Sequence, residues 1–345
     1  MAEQVKKTIF LAGLGGGYDI FGCLPYYFKL KSSGIADVTL LNYSFTKYTV
    51  LSKHSVQLTP VLFRVGPQKK KADWLTDDVY FPEQLLANEL NTIIYVILCD
   101  ASKTRIDLIT EAYRYLIKRY TTIDELVLID GGSDVLLTGT EHALGTPLED
   151  MTHARAVDFL TENEVKSKYI VVIGVNLEVG HGVLKSDIDA RLTALSSDAI
   201  FTWLWQYEKD VDVRHYVEIF QRCRPHRSIV HSLISAALQG HRGYYLPEHL
   251  RSRITKSVID LSEQTCLSIA YHFDDVVRHC VYFKRLLPQM YLNQAHNVIY
   301  TSISRNRASS EPQSQKVETV KSQDKELPFF AQSISFSEDT KILNE

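Results

Sequence analysis

The chain has 345 residues, 45% of them hydrophobic and 23% charged, with a formal net charge of −3. That composition excludes a disordered chain and supplies no basic excess for a nucleic-acid partner. Its five cysteines include no Cys-x-x-Cys pair, which argues against a disulfide framework or a zinc ribbon. No apolar run approaches the ~20 residues of a membrane helix, and the charged start has no signal-peptide pattern. These features predict an aqueous, reducing, cytoplasmic setting without an integral membrane segment.

In chain order, Thr8–Leu14 reads as a short buried strand closed by glycine. Asp19–Leu30 reads as a helix with Pro25 in an early turn, where proline is tolerated. Asp37–Asn42 reads as a second strand. Gln57–Val65 reads as a third, with Pro60 demoting part of it to an edge. Asn91–Cys99 is a further strand, Arg105–Arg119 an amphipathic helix, Glu125–Asp130 a strand, Arg155–Glu164 a helix and Lys168–Gly174 a strand. Strands alternating with helices predict an α/β fold: a mostly parallel sheet with helices on both faces, Rossmann-like or macrodomain-like. After residue 200 the pattern turns helical over Asp212–Arg222, Arg227–Leu238 and Ser252–Ala270, with a late strand at Asn297–Ser302. The predicted organisation is an α/β ligand-binding core over 1–200, a helical extension over 201–305 and a flexible tail over 306–345, the tail being rich in Ser, Gln, Lys and Glu.

Three of these strands end in unusual loops: Gly13–Asp19, Asp130–Asp134 and Gly174–Gly182. If the strands are parallel, all three loops lie on the edge of the sheet where α/β folds bind ligands. Gly15, Gly16 and Gly17 before a helix predict an anion cradle, because glycine permits positive φ and close backbone approach, and a helix start adds free N–H groups. Known fingerprints do not fix the ligand. The third glycine of a dinucleotide motif is missing, Asn42 stands where an acid is expected, and no Walker motif occurs. Asp19 reads as a helix cap or a contact to the nucleoside. Gly131, Gly132 and Ser133 form the second loop, and Asn176, Glu178 and His181 belong to the third.

The segment from Asp130 to Asp150 carries Asp130, Asp134, Glu141, Glu149 and Asp150 among glycines. Helix capping accounts for one of these, at Asp150 or Thr152. Asp130 and Asp134 flank a Gly-Gly-Ser turn and could bind ribose, hold a metal or share acid–base work. Cys23 reads as a core position rather than a nucleophile.

The set "GGGYD", "DGGSD" and "GTPLEDM" resembles an archaeal and bacterial family catalogued only as a domain of unknown function, number eleven-fifty-two, over roughly Thr8 to Ser302. That resemblance implies no activity. A looser one is to macrodomains, α/β modules that bind ADP-ribose through glycine loops, although their Asn-Ala-Ala-Asn stretch is absent. It implies a hydrolase of a glycosidic bond in an ADP-ribose conjugate, with ADP-ribose, a related nucleotide or an ADP-ribosylated protein as partner and no cofactor required. Gly15–Gly17 would hold the pyrophosphate, and Asp134, helped by Asp130 or Glu141, would act at the distal ribose. The alternatives are a non-catalytic nucleotide-binding module and a phosphohydrolase using Mg²⁺ or Mn²⁺ on Asp130, Asp134, Glu141 and His142. The C-terminal composition is also similar to secretion tails of effectors from intracellular bacteria, which implies delivery to a host cell.

Overall fold

Short apolar runs closed by glycine, asparagine or aspartate become the strands of this protein, and runs with apolar residues three and four apart become its helices. The computed structural model describes residues 6–68, 73–120, 122–141, 144–179, 183–224, 227–254, 259–309 and 328–332. The elements begin with β1 (Lys7–Gly13), α1 (Leu24–Ser33), β2 (Ala36–Ser44), α2 (Tyr48–His54), β3 (Val56–Gln57) and β4 (Leu62–Val65). There follow α3 (Pro82–Leu90), β5 (Ile94–Leu98), α4 (Ile106–Tyr120), β6 (Ile123–Gly131), α5 (Pro147–Asp158), β7 (Val165–Ile173), α6 (Lys185–Ala194) and β8 (Ala199–Leu204). The chain continues through α7 (Val211–Arg222), α8 (Ile229–Leu238), β9 (Gly243–Tyr244), β10 (Asp260–Leu261), β11 (Leu267–His272), α9 (Phe273–Val277), α10 (Leu292–Ser309) and α11 (Phe329–Gln332).

Among the described residues nine strands form one mixed, mostly parallel sheet in the order β3-β4-β5-β2-β1-β6-β7-β11-β8. Only β4 and β11 run against the others. The central strands β5-β2-β1-β6-β7 are parallel and doubly wound. The chain leaves β1 for β2 on one side and later returns to pair β6 on the other, so the strand order reverses between β1 and β6. Such a reversal opens a crevice beyond the carboxyl ends of the two strands. Burial on both faces explains the continuous apolar runs: Leu126 to Ile129 of β6 and Ile170 to Ile173 of β7 are all inaccessible to solvent. Helix α4 lays Ile106, Ile109, Ala112, Tyr113 and Leu116 into the core, and each large apolar side chain so buried contributes about 1.5–3 kcal/mol.

Several expected boundaries shift for physical reasons. Asp19–Cys23 is a tight 3-10 turn, and the α-helix proper starts at Leu24, with Pro25 at a position where its missing N–H costs nothing. The stretch expected as a third strand is a hairpin, β3 and β4, with Pro60 in its turn and antiparallel pairing at the sheet edge. Helix α5 begins at Pro147, eight residues before the expected Arg155, which puts Asp150 inside its first turn. The expected helix Ser252–Ala270 is absent from its described part. Leu267–His272 is strand β11 instead, since a short run buried on both faces carries no period that separates strand from helix. Asn297–Ser302, expected as a strand, lies in α10, where Ala295, Ile299 and Ser302 are buried at helical spacing.

Residues 201–305, expected as a helical extension, therefore also complete the sheet: β11 inserts between β7 and β8. Of the expected tail, Pro328–Gln332 is packed on the core, with Phe330 and Ala331 buried. No helix among the described residues is long and apolar enough to cross a membrane.

Candidate functional site

The loop after β1 closes on itself. Gly15 N–H donates to Asp19 Oδ2 (2.8 Å), and Asp19 N–H donates to the Gly16 carbonyl (3.2 Å). Gly16 and Gly17 have φ of 99° and 64°, which a residue with a side chain adopts at a cost. Both pack closely under the Phe45 ring, and Gly17 also lies under the Tyr80 hydroxyl. Two buried groups fix this loop from below. Asn42 Nδ2 donates to the Gly17 carbonyl (2.9 Å) and to Glu83 Oε1 (2.6 Å). His153 Nδ1 lies 3.0 Å from the Leu14 carbonyl and its Nε2 lies 2.8 Å from the Tyr113 hydroxyl. Burial lowers the His153 pKa to about 4, so the ring is neutral. Its Nδ1–H donates to Leu14 and its Nε2 accepts from Tyr113.

The three loops converge. A side chain at Gly131 would stand 2.6 Å from Asp19 Oδ1, and one at Gly132 would collide with the Glu178 carboxylate. Ser133 holds Glu178 with both of its donors, N–H to Oε1 (3.0 Å) and Oγ to Oε2 (3.1 Å). Thr146 N–H donates to Asp134 Oδ2 (2.9 Å), and Gly145 leaves the room for that carboxylate. Asp150, from the first turn of α5, enters over Gly15. Asp19, Asp130 and Asp150 each offer a carboxylate oxygen, and these oxygens lie within 4.8 Å of one another.

The electrostatics of this cluster are one-sided. Asp130, Asp134 and Asp150 are only 3%, 5% and 3% exposed. Burial, reinforced by the neighbouring carboxylates, pushes Asp130 and Asp150 well above the usual carboxyl range. Burial raises Asp134 as well. It lifts Asp19 to about 7 against the opposing amides of Gly15 and Gly131, and it lifts Glu178 to about 8 with help from the Asp134 charge. Among the described residues, none of these five carboxylates has an ion pair with Lys, Arg or His. Asp130 Oδ2 is buried and has no hydrogen-bond partner among the described residues. A buried carboxylate cluster without a counter-charge is costly unless protons or a cation neutralise it. Opposed oxygens around a hard cation lie about 4–5 Å apart, so the spacing of Asp19, Asp130 and Asp150 suits one such ion.

The Gly15 amide is committed to Asp19, and Gly15, Gly131, Gly132 and Gly145 make room for carboxylates. Of the expected site residues, Asp19, Asp130, Asp134, Gly131, Gly132, Ser133 and Glu178 come together around this crevice, with Gly15 against it and Gly16 and Gly17 beside it. Glu141 does not join them. It turns back on its own loop and accepts from the amides of Thr138 (2.8 Å), Gly139 (2.8 Å) and Thr140 (3.0 Å). Asn176, at a φ of 73°, donates through Nδ2 to Gln264 ahead of β11. His181 and His142 lie outside the described residues. Cys23 is buried, and that burial raises its thiol pKa well above the ordinary value, as befits a core residue.

Two members escape a reading of the sequence. Asp150 reads as a helix cap until α5 is seen to start at Pro147. Glu83 lies in α3, far from any motif. It accepts from Asn42 and from Thr46 Oγ1 (3.0 Å), supplying from a helix the acid missing at the end of β2. The density of carboxylates between Asp130 and Asp150 was the available signal for the first. Nothing local marked the second.

Compared with protein-family models, with curated proteins and with solved structures, the chain finds no match.

Proposed function

We propose that the carboxylate cluster is the active centre of a divalent-cation-dependent hydrolase acting on the phosphate of a nucleotide-type substrate. The reading is carried by Asp130 Oδ2, a buried acceptor without a partner among the described residues, inside a group of carboxylates that no basic residue among them neutralises. Asp19, Asp130 and Asp150 would hold the cation, Mg²⁺ or Mn²⁺ by the hardness of an all-oxygen set. Such an ion supplies an activated water at neutral pH and polarises a phosphoryl oxygen. Asp134 and Glu178 flank it: Asp134 would orient the attacking water, and Glu178, held by Ser133, would face the leaving oxygen.

Attack at phosphorus is favoured over the glycosidic reading by one contact, the Gly15 amide that Asp19 already occupies. Without a cation the crevice repels a pyrophosphate, and a cation draws the phosphate itself to the reacting position. The test is turnover on a panel of nucleoside di- and triphosphates and ADP-ribose conjugates, with Mg²⁺, with Mn²⁺ and with EDTA. Release of phosphate that EDTA abolishes supports the proposal. Release of ribose-linked product insensitive to EDTA supports the ADP-ribosyl hydrolase instead, and saturable binding without product supports a sensor. In either hydrolase, Asp134→Ala is expected to lose turnover while keeping ligand binding.

A further inference from the structure

Strand β6 carries Asp130 near one end and Glu125 near the other, about 17 Å away at strand spacing. Glu125 is 7% exposed, and its two oxygens accept the consecutive amides of Phe329 (2.6 Å) and Phe330 (2.8 Å). The Phe330 side chain is fully buried in an aromatic recess. Its ring centroid lies 5.2 Å from Tyr169 of β7, 5.6 Å from Phe201 of β8 and 5.8 Å from Tyr26 of α1. Lys7 Nζ stands 5.8 Å from the centre of the Phe329 ring. A buried carboxylate and an aromatic recess side by side form a receptor of defined chemistry. The carboxylate requires two successive free N–H groups, the recess requires a ring, and Pro328 fixes the backbone just before them.

We propose that this recess is a peptide-docking site for a Pro-Phe-Phe segment and that the chain's own Pro328–Gln332 is its tethered, exchangeable ligand. The proposal is independent of the reading of the carboxylate cluster. Residues 310–327 join the ligand to α10, so docking is intramolecular, and intramolecular ligands on short linkers meet their sites at effective concentrations on the order of 1 mM. A segment that docks in cis under those conditions must bind with a dissociation constant below about that value.

The test uses the full-length protein and a fluorescent peptide spanning residues 326–333 (ELPFFAQS). Anisotropy titrations are expected to saturate with Phe330→Ala, whose own segment no longer fills the recess. Binding to the unmodified protein is expected to be roughly tenfold weaker or more, because the tethered segment competes. N-methylation of the two Phe amides in the peptide is expected to abolish binding without touching the protein. If Phe330→Ala does not give the cooperative thermal transition of the parent, Phe330→Leu keeps the recess filled and is expected to bind the peptide more tightly than the parent does. Three results each overturn the proposal: no saturation with the variant up to about 1 mM peptide, equal binding to variant and parent, or full binding by the N-methylated peptide.

Discussion

The Asp150 carboxylate occupies the space that a side chain at Gly15 would need. The missing side chain at Gly15 is thus what makes room for the acid. Gly15→Ala must displace Asp150 or lift the loop away from Asp19, whose Oδ2 would stand 3.0 Å from the new methyl group. Displacement of one ligand is expected to weaken Mn²⁺ binding roughly tenfold or more, measured by isothermal titration. Unchanged affinity would remove Asp150 from the site.

Stability of the metal-free protein should fall as pH rises. Asp19 and Glu178 have folded-state pKa values of about 7 and about 8, against about 4 for free carboxyl groups. Between these limits the folded state binds more protons than the unfolded one, so each group costs up to about 1.4 kcal/mol per pH unit within its window. The groups facing them are Asp130, Asp134 and Asp150, all acidic, and they push in the same direction. Thermal unfolding in EDTA is expected to move down from about pH 5 to about pH 8, and Mn²⁺ to reverse the trend most strongly at the higher pH. A melting temperature that climbs over that range would contradict the one-sided cluster.

Asp130→Asn should separate stability from function. The amide keeps the shape and removes a charge that burial and its neighbours oppose. In the absence of metal at about pH 8 the variant is expected to melt higher by a degree or more, since about 1 kcal/mol moves a chain of this length by roughly 1–2 °C. Metal-dependent turnover is expected to drop by about a hundredfold or more. A variant that is less stable and fully active would assign Asp130 to the framework.

Glu141 gives the control. Its carboxylate ties three successive amides of its own loop, and Glu141→Gln removes the charge and sets a donating NH2 against at least one of those N–H groups. The expected loss is about 1 kcal/mol of stability, read by chemical denaturation, with Mn²⁺ affinity unchanged within error. A large fall in affinity would return Glu141 to the site.

The parallel core was legible because its strands are short, apolar and closed by glycine or polar residues, and because α4 carries a clean helical period. That the loops after β1, β6 and β7 share one edge of the sheet followed from that alternation, whereas their convergence on one cluster did not. The purpose of the glycines did not follow, since Gly15 beside an open anion site and Gly15 beneath Asp150 read identically until α5 fixes the aspartate. Strand β11 was hidden for a related reason. Ser268 to Tyr271 are buried and paired with a strand along each edge, and a stretch that touches protein all round has no polar face from which to read a period. Asn297–Ser302 failed in the opposite sense: its β-branched residues favour a strand, and tertiary packing of Ala295 and Ile299 overrode that preference.

The position of β11 bears on how the chain is made. Among the described residues β8 is the outermost strand, and β11 is its neighbour in the sheet. Ala199–Leu204, which includes the buried Phe201 and Trp203, must therefore wait until residue 272 has been synthesised before its backbone is paired. Over that interval the growing polypeptide presents an unsatisfied aromatic strand beside a sheet that is otherwise ready to close. Ribosome stalling, nonsense mutation or proteolysis before Leu267 leaves the same edge permanently open, and fragments of that kind are candidates for chaperone capture or self-association.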